Sequence, residues 1–433
     1  MTRQGMLPHL LRNAGVLLTG NTVSSLFGVF SLVAMARALG PEQLGTLAII
    51  QAYASTMGVL FNFQSWHMVV KFGSDALARD DNRAFGRLVF FGTLLDASSA
   101  LLGAGIAALA AFALAPLLGW DESTTHVAAL FCITIALDLS GTPKAVLRIF
   151  DRFSELAMVQ VVVAVLKFIA VLFALFTDAT FPIFLAITGA ALILNHLLLL
   201  SLAWHLLRQR GDGAIRPASI RETVRENPGI WQFVWTTNLS SGLGIVTKEF
   251  DIVIVGGLLG SNAAGLYRVA RQFASLLSRP LEALYHAVYP ELARLWASQD
   301  VSTFRSLMVR GGLGAGSVAV GLWCVFWLWG EALLGLSVGP GYVSAWPVLL
   351  WYSMALVVGI FGFSLEPAGY AMGIPQKMLA VHAASTLLYV VILPQLLWTS
   401  GLVGAGIAAL IFQLTWATTM IVVQRKSSTH GNS

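Results

Sequence analysis

Arg268 and Arg271 stand three residues apart in an apolar run, so on a helix they share one face. Guanidinium groups held there make a fork suited to phosphate or carboxylate. The run before it carries Lys248, Glu249 and Asp251. Lys248 and Asp251 also share a face: they can neutralise one another, or a buried acid there can exchange a proton or sodium ion. Earlier runs hold Arg37, Asp96, Asp138, Lys167 and His196, and later ones Arg279, Glu282, His286, Glu366 and His382. Charge inside a long apolar run is costly unless it meets a partner or a watery cavity, which makes these the candidates for function. Each has a plainer reading beside it. Arg268 can reach an interface, Asp96 and Asp138 can simply accept hydrogen bonds, and Arg279, Glu282 and His286 can form an ion-pair ladder. The residues three or four positions from Arg271 on its own face are Tyr267, Arg268, Ala274 and Ser275. None is an acid, so no partner for Arg271 is expected within its helix.

The elements that position these residues must be membrane helices. The 433 residues are 57% hydrophobic and only 11% charged, against roughly a quarter charged in soluble domains. Too little charge remains to solvate a globular surface, and apolar runs recur from end to end. Twelve spans are expected at about 13–38, 42–66, 87–118, 126–143, 155–177, 181–205, 231–259, 262–290, 311–330, 345–371, 378–398 and 402–424. The first run is too long for a signal-peptide core and reads as an uncleaved span. Trp66, Trp120, Trp231, Trp329 and Trp346 lie at span ends as interfacial anchors.

Most of the 26 Lys and Arg fall on one side of this arrangement. With the N-terminus in the cytoplasm, cytoplasmic segments hold Arg3 and Arg12; Lys71, Arg79, Arg83 and Arg87; Lys144, Arg148 and Arg152; Arg208, Arg210, Arg216, Arg221 and Arg225; Arg294, Arg305 and Arg310; Lys377; and Arg425 with Lys426. Opposite loops carry Glu42, Asp121, Glu122, Asp178 and Glu331 instead. The asymmetry predicts both termini in the cytoplasm. It also explains the net charge of +5 without nucleic acid, because the basic residues are scattered over short loops. Cys132 and Cys324 each sit in an apolar run, which excludes a disulfide framework or cysteine-rich metal site. There is no Walker loop, zinc motif or hydrolase signature, so no cofactor or metal is expected.

The polar stretch 206–230, with Gly211, Gly213, Pro217 and Pro228, divides the chain. The expected organisation is a six-helix bundle over 1–205, a cytoplasmic linker over 206–230, a second bundle over 231–424 and a tail over 425–433. The bundles repeat: Leu39-Gly40, Gly45 and Ala54-Ser55 recur as Leu259-Gly260, Gly265 and Ala274-Ser275. An even span count gives both halves the same orientation, as parallel pseudo-repeats.

The hairpin ARALGPEQLGTLAIIQAYAS, the segment LRIFDRFSELAMVQ and the long stretch FDIVIVGGLLGSNAAGLYRVARQFASLLSRPLEALYHAVYPELARL carry a resemblance. They resemble polysaccharide-unit flippases, the Wzx-type branch of the multidrug/oligosaccharidyl-lipid/polysaccharide exporter superfamily. The resemblance implies an all-α integral membrane protein, not an enzyme, of about twelve transmembrane helices in two six-helix bundles around a central cavity. It implies alternating access that moves undecaprenyl-pyrophosphate-linked oligosaccharide to the periplasmic leaflet of the inner membrane. The implied partners are that lipid-linked oligosaccharide, membrane lipids, and polymerase and chain-length proteins of the same pathway. Cations expected at the cargo are Arg37, Lys167, Lys248, Arg268 and Arg271; possible coupling or cavity acids are Asp96, Asp138, Glu249 and Asp251. A cation-coupled multidrug exporter of the same fold is the competing reading. A membrane-embedded glycosyltransferase or polymerase is disfavoured by the short loops.

Overall fold

The computed structural model describes residues 3–63, 65–210, 219–245, 249–278, 288–289 and 291–430. Every regular element among them is helical. In chain order these are α1 (Arg3–Phe61), α2 (Ser65–Ala78), α3 (Asn82–Leu118), α4 (Glu122–Phe131), α5 (Ile133–Ala136), α6 (Gly141–Ile149), α7 (Phe153–Phe176) and α8 (Phe181–Gln209). They continue as α9 (Ile220–Glu226), α10 (Ile230–Ile245), α11 (Asp251–Ser275), α12 (Val301–Ser337), α13 (Trp346–Phe361), α14 (Leu365–Ala371), α15 (Pro375–Ser400) and α16 (Val403–His430). A short 3-10 turn, Pro340–Ala345, leads into α13.

Ten helical stretches among the described residues are long and apolar enough to cross a membrane. Their outer faces present bare hydrocarbon: Leu109 is 74% exposed and Phe176 82%. A water-soluble surface does not carry such a continuous apolar face, whereas lipid matches it.

The helices start and stop where local chemistry requires. Asp81 caps α3 by accepting from the Ala84 N–H at 2.8 Å, and Asp300 caps α12 through the Thr303 N–H at 3.0 Å. Asp121 caps α4 through the Thr124 N–H at 3.1 Å. The hydroxyl of Ser123 and the Thr124 cap bonds hold the Asp121 carboxyl down at about 2. Gly40 precedes Pro41, which disfavours a helical residue before it. Gly40 bends α1 with φ 69° and ψ 175°, and Gly260 bends α11 almost identically, with φ 85° and ψ 172°. A side chain would be strained at either position.

That match extends along both halves. α3 and α12 are each 37 residues long, with their first residues at 82 and 301 and their last at 118 and 337. Left-handed residues pair up in the connecting turns: Asp80 with Gln299, Gly119 with Gly339, Asp151 with Gly373, Asp178 with Gly401. The fourth span of the first half breaks between α5 and α6, and the corresponding span of the second half breaks between α13 and α14. The pseudo-repeat thus shows in the described backbone of both halves and not only in a few small residues.

The chain divides into two compact units, Met1–Ala38 with Ile49–Phe250, and Leu39–Ala48 with Asp251–Ser433. This differs from the division expected at 206–230. α10 stays with the first unit because its aromatic residues pack edge-on there: Trp231 on Phe91, Phe233 on Phe72 and Trp235 on Phe63. The bend segment 39–48 groups with the second unit through glycine contacts. A Cβ on Gly45 would overlap the Ser261 carbonyl, and one on Gly265 would overlap the Pro41 carbonyl. The two repeat-related glycines therefore admit a reciprocal backbone approach that no larger residue allows.

Candidate functional site

The first unit contains a cavity of about 570 Å3, built around the broken fourth span. Non-helical backbone at membrane depth is tolerated where it lines a protein-enclosed or watery space, and here it does. Leu137–Ser140 leaves the helix, and its polar groups are met locally. Asp138 Oδ1 accepts from the Ser140 hydroxyl at 2.7 Å and from the Ser140 N–H at 3.3 Å. Asn62 Nδ2 donates to the Asp138 carbonyl at 3.1 Å.

Beyond the break, α6 starts at Gly141 with no cap from its own sequence. Asp96, on α3, supplies one: its buried Oδ2 accepts from the Thr142 N–H at 2.7 Å. An anionic group at a helix N-terminus is favoured by the helix dipole as well as by the orphan N–H groups. Gly141 is required by this approach, because a Cβ there would crowd the Ser65 hydroxyl and the Asp96 carboxylate. Asp96 therefore lines the cavity while anchoring the restarted helix.

α6 brings two cations into the same cavity. Lys144 and Arg148 lie one turn apart, and both line it. Lys144 Nζ donates to the Ser140 hydroxyl at 2.8 Å. The Arg148 guanidinium stacks 4.2 Å from the centroid of the Trp66 ring. The acids lining the cavity are Asp96, Asp138 and Glu249, and Gln51, Asn62 and Gln160 add amides. His196 Nδ1 lies 3.1 Å from Asp138 Oδ1 but off the line a hydrogen bond needs. Buried polar atoms without a hydrogen-bond partner include Gln51 Nε2, Arg148 Nε and His196 Nδ1, all on residues of this lining. Buried donors and acceptors left open in this way mark a place able to take a polar ligand.

The second unit holds a different arrangement. The bend at Gly260 folds α11 back, so that Asp251 and Arg271, twenty residues apart, meet at 2.7 Å. The Asp251 side chain is fully buried, and that of Arg271 is 15% exposed. Asp251 also accepts from the hydroxyls of Tyr267 at 2.7 Å and Tyr389 at 3.2 Å, and from the Ile252 N–H at 2.8 Å. The Arg271 guanidinium faces the rings of Tyr267 and Tyr352 at 5.6 and 5.7 Å.

The expected site residues are thus divided. Asp96, Asp138 and Glu249 come together in the first unit, and Asp251 and Arg271 in the second. Lys248, Arg279, Glu282 and His286 lie outside the described residues. Arg37 is exposed, and Lys167 and Arg268 are half-buried; none of the three lines the first unit's cavity. Two expectations need correction. The absence of an acid on Arg271's own face does not leave it without one, because Asp251 arrives across the bend. Lys144 and Arg148 are not loop residues, because the fourth apolar stretch continues to Ile149 once α6 restarts the span. The signal for them was the Ser-Gly-Thr-Pro sequence at 140–143 inside an apolar run: a Gly/Pro interruption of a span points to a binding site.

Residues 10–296 match the family described as polysaccharide biosynthesis protein. The inner membrane protein YghQ of Escherichia coli (strain K12) is 29% identical over 80% of this chain and 97% of the relative. Among solved structures, an inward-facing multidrug resistance MATE family transporter of the MOP superfamily superposes with a TM-score of 0.74. It is 15% identical and covers 97% of this chain and 99% of its own. The lipid II flippase MurJ, inward closed, gives 0.70 at 12% identity over 94% of this chain and 87% of its own. A MOP superfamily transporter from Pyrococcus furiosus Vc1 gives 0.64 at 15% identity over 98% and 95%. The repeated helical architecture and the matched residues together make this chain a member of the polysaccharide biosynthesis protein family, built on the fold that MATE transporters and MurJ share.

Proposed function

We propose that the protein flips a lipid-linked oligosaccharide across the inner membrane, with both termini in the cytoplasm, and that the first unit's cavity receives part of the polar head. The observation that carries this is the lining around the broken fourth span. Lys144 and Arg148 offer charge-assisted donors to phosphate or anionic sugar. Gln51, Asn62 and Gln160 offer the paired donors and acceptors that sugar hydroxyls need, and Trp66 offers an aromatic face. Membership of a polysaccharide biosynthesis family supports that cargo, and similarity to an inner membrane protein supports the location. Arg271 serves in this reading as the partner of Asp251, which offsets its charge.

The account predicts that Lys144→Ala and Arg148→Ala each cut surface polysaccharide at least tenfold in a host lacking the native gene, with the protein inserted at normal levels. Arg148→Lys retains part of the activity, because charge survives while the bidentate fork is lost. Full polysaccharide from both alanine variants would remove the cavity from the cargo path. The multidrug-exporter reading is favoured by a single feature, the three acids of the cavity, which suit cationic drugs. It predicts drug sensitivity, with unchanged polysaccharide, when the gene is deleted.

A further inference from the structure

The broken span of the second unit lines a space of another kind. A groove of about 730 Å3 runs past the break between α13 and α14, bounded by the first turns of α12 and the last of α16. Here the break is tied to its neighbours by protein: the Gln424 amide donates to the Leu365 carbonyl, and Ser364 Oγ donates to the Met308 carbonyl of α12 at 3.3 Å. The walls are otherwise largely apolar, with Phe304, Met308, Leu313, Val358, Phe361 and Ile421 among them. Among the described residues of the lining, the charged ones are Arg305 and Arg425, both exposed.

Leu313 is 55% exposed on the lipid-facing surface and lines the same groove, so the groove opens sideways toward hydrocarbon. Its cations lie at the basic end of the unit, beside Arg310 and Lys426. A water-soluble ligand has no reason to enter such a trough. A chain of methylene groups with an anionic head matches both parts, and basic pockets between membrane helices on the cytoplasmic side suit phospholipid head groups.

We infer that this groove is a site for an anionic glycerophospholipid of the basic-side leaflet. One acyl chain lies along Met308, Leu313 and Phe361, and the phosphate is held by Arg305 and Arg425. The lipid braces the tenth span at its break, where α14 is joined to α13 by only Gly362–Ser364. The site is independent of the cargo assignment and stands or falls separately.

The full-length protein, purified in detergent, is titrated with phosphatidylglycerol or phosphatidylcholine of equal chain length, and retained lipid is counted by native mass spectrometry. The expected preference for phosphatidylglycerol is about tenfold or more, because two arginines meet its anionic head. Arg305→Ala with Arg425→Ala abolishes the preference, the double Lys variant keeps most of it, and Leu313→Trp lowers retention of both lipids. Equal retention of the two lipids by the wild-type protein would overturn the inference, and that arm needs no variant to fold. An unchanged preference in the double alanine variant would overturn it as well. So would stronger retention of undecaprenyl phosphate than of phosphatidylglycerol, which would make the groove a seat for the cargo's own lipid.

Discussion

Asp251 is heavily partnered, with one guanidinium, two tyrosine hydroxyls and one backbone N–H on its two oxygens. A buried ion pair is weak proof of net stabilisation, but removal of one partner strands the other and costs about 3–5 kcal/mol. Asp251→Asn and Arg271→Gln are each expected to lower the thermal midpoint of the purified protein by several degrees. The double variant should lose less than the two single losses combined, the signature of direct coupling. Strict additivity would mean that the pair contributes nothing as a pair. The contact was not legible from spacing, because the rule for helix neighbours reaches three or four residues and the bend at Gly260 joins positions twenty apart. The importance of Asp251 and Arg271 was legible, since charge inside an apolar run announces itself. Lys144 and Arg148 were hidden for the opposite reason: they follow a Gly and a Pro, so the span seemed to end before them.

Elements carry their own signals, and the repeat was the best of them. Leu39-Gly40 and Gly45 against Leu259-Gly260 and Gly265 predicted two related halves, and the bends at Gly40 and Gly260 adopt matching torsions. What small residues at equal offsets did not reveal was that Gly45 and Gly265 face each other. Leu at either position is expected to abolish the folded peak in detergent, because the added atoms would meet backbone rather than a side chain that can turn away. Gly28→Leu is the control, since a Cβ there meets nothing within 4 Å. Wild-type behaviour of Gly45→Leu would contradict the close approach. The restart of α6 gives a second test at this scale. Asp96→Ala removes its cap and should cost about 1 kcal/mol, whereas Asp96→Asn still presents an oxygen to the Thr142 N–H. Asn is therefore expected to keep both the thermal midpoint and transport. Transport lost by Asp96→Asn at full stability would mean that the charge of Asp96, and not its cap, is what the cycle uses.

At the scale of the molecule, charge asymmetry and fold make separate claims. Reporter fusions at Asp121, Asp178 and Gly339 are expected to lie outside the cytoplasm, and fusions at Asp80 and Ser298 inside it, from the bias of Lys and Arg. Opposite signals at two of these positions would invert the orientation. Membrane character and helical class followed from composition, and the approximate places of most described spans from apolar runs, although the fourth runs on to Ile149. The grouping of α10 with the first unit did not, because it depends on which aromatic rings meet after folding. In the proposed cycle the cavity around Lys144 and Arg148 serves a lipid-linked sugar in transit. The most direct measurement places purified protein in vesicles with a fluorescent undecaprenyl-pyrophosphate-linked saccharide and follows its arrival in the opposite leaflet by access to an impermeant quencher. The account predicts movement by the wild-type protein and at least a tenfold slower rate for Lys144→Ala and for Arg148→Ala, at equal reconstitution. Wild-type movement no faster than in protein-free vesicles, or equal rates in both variants, would contradict it.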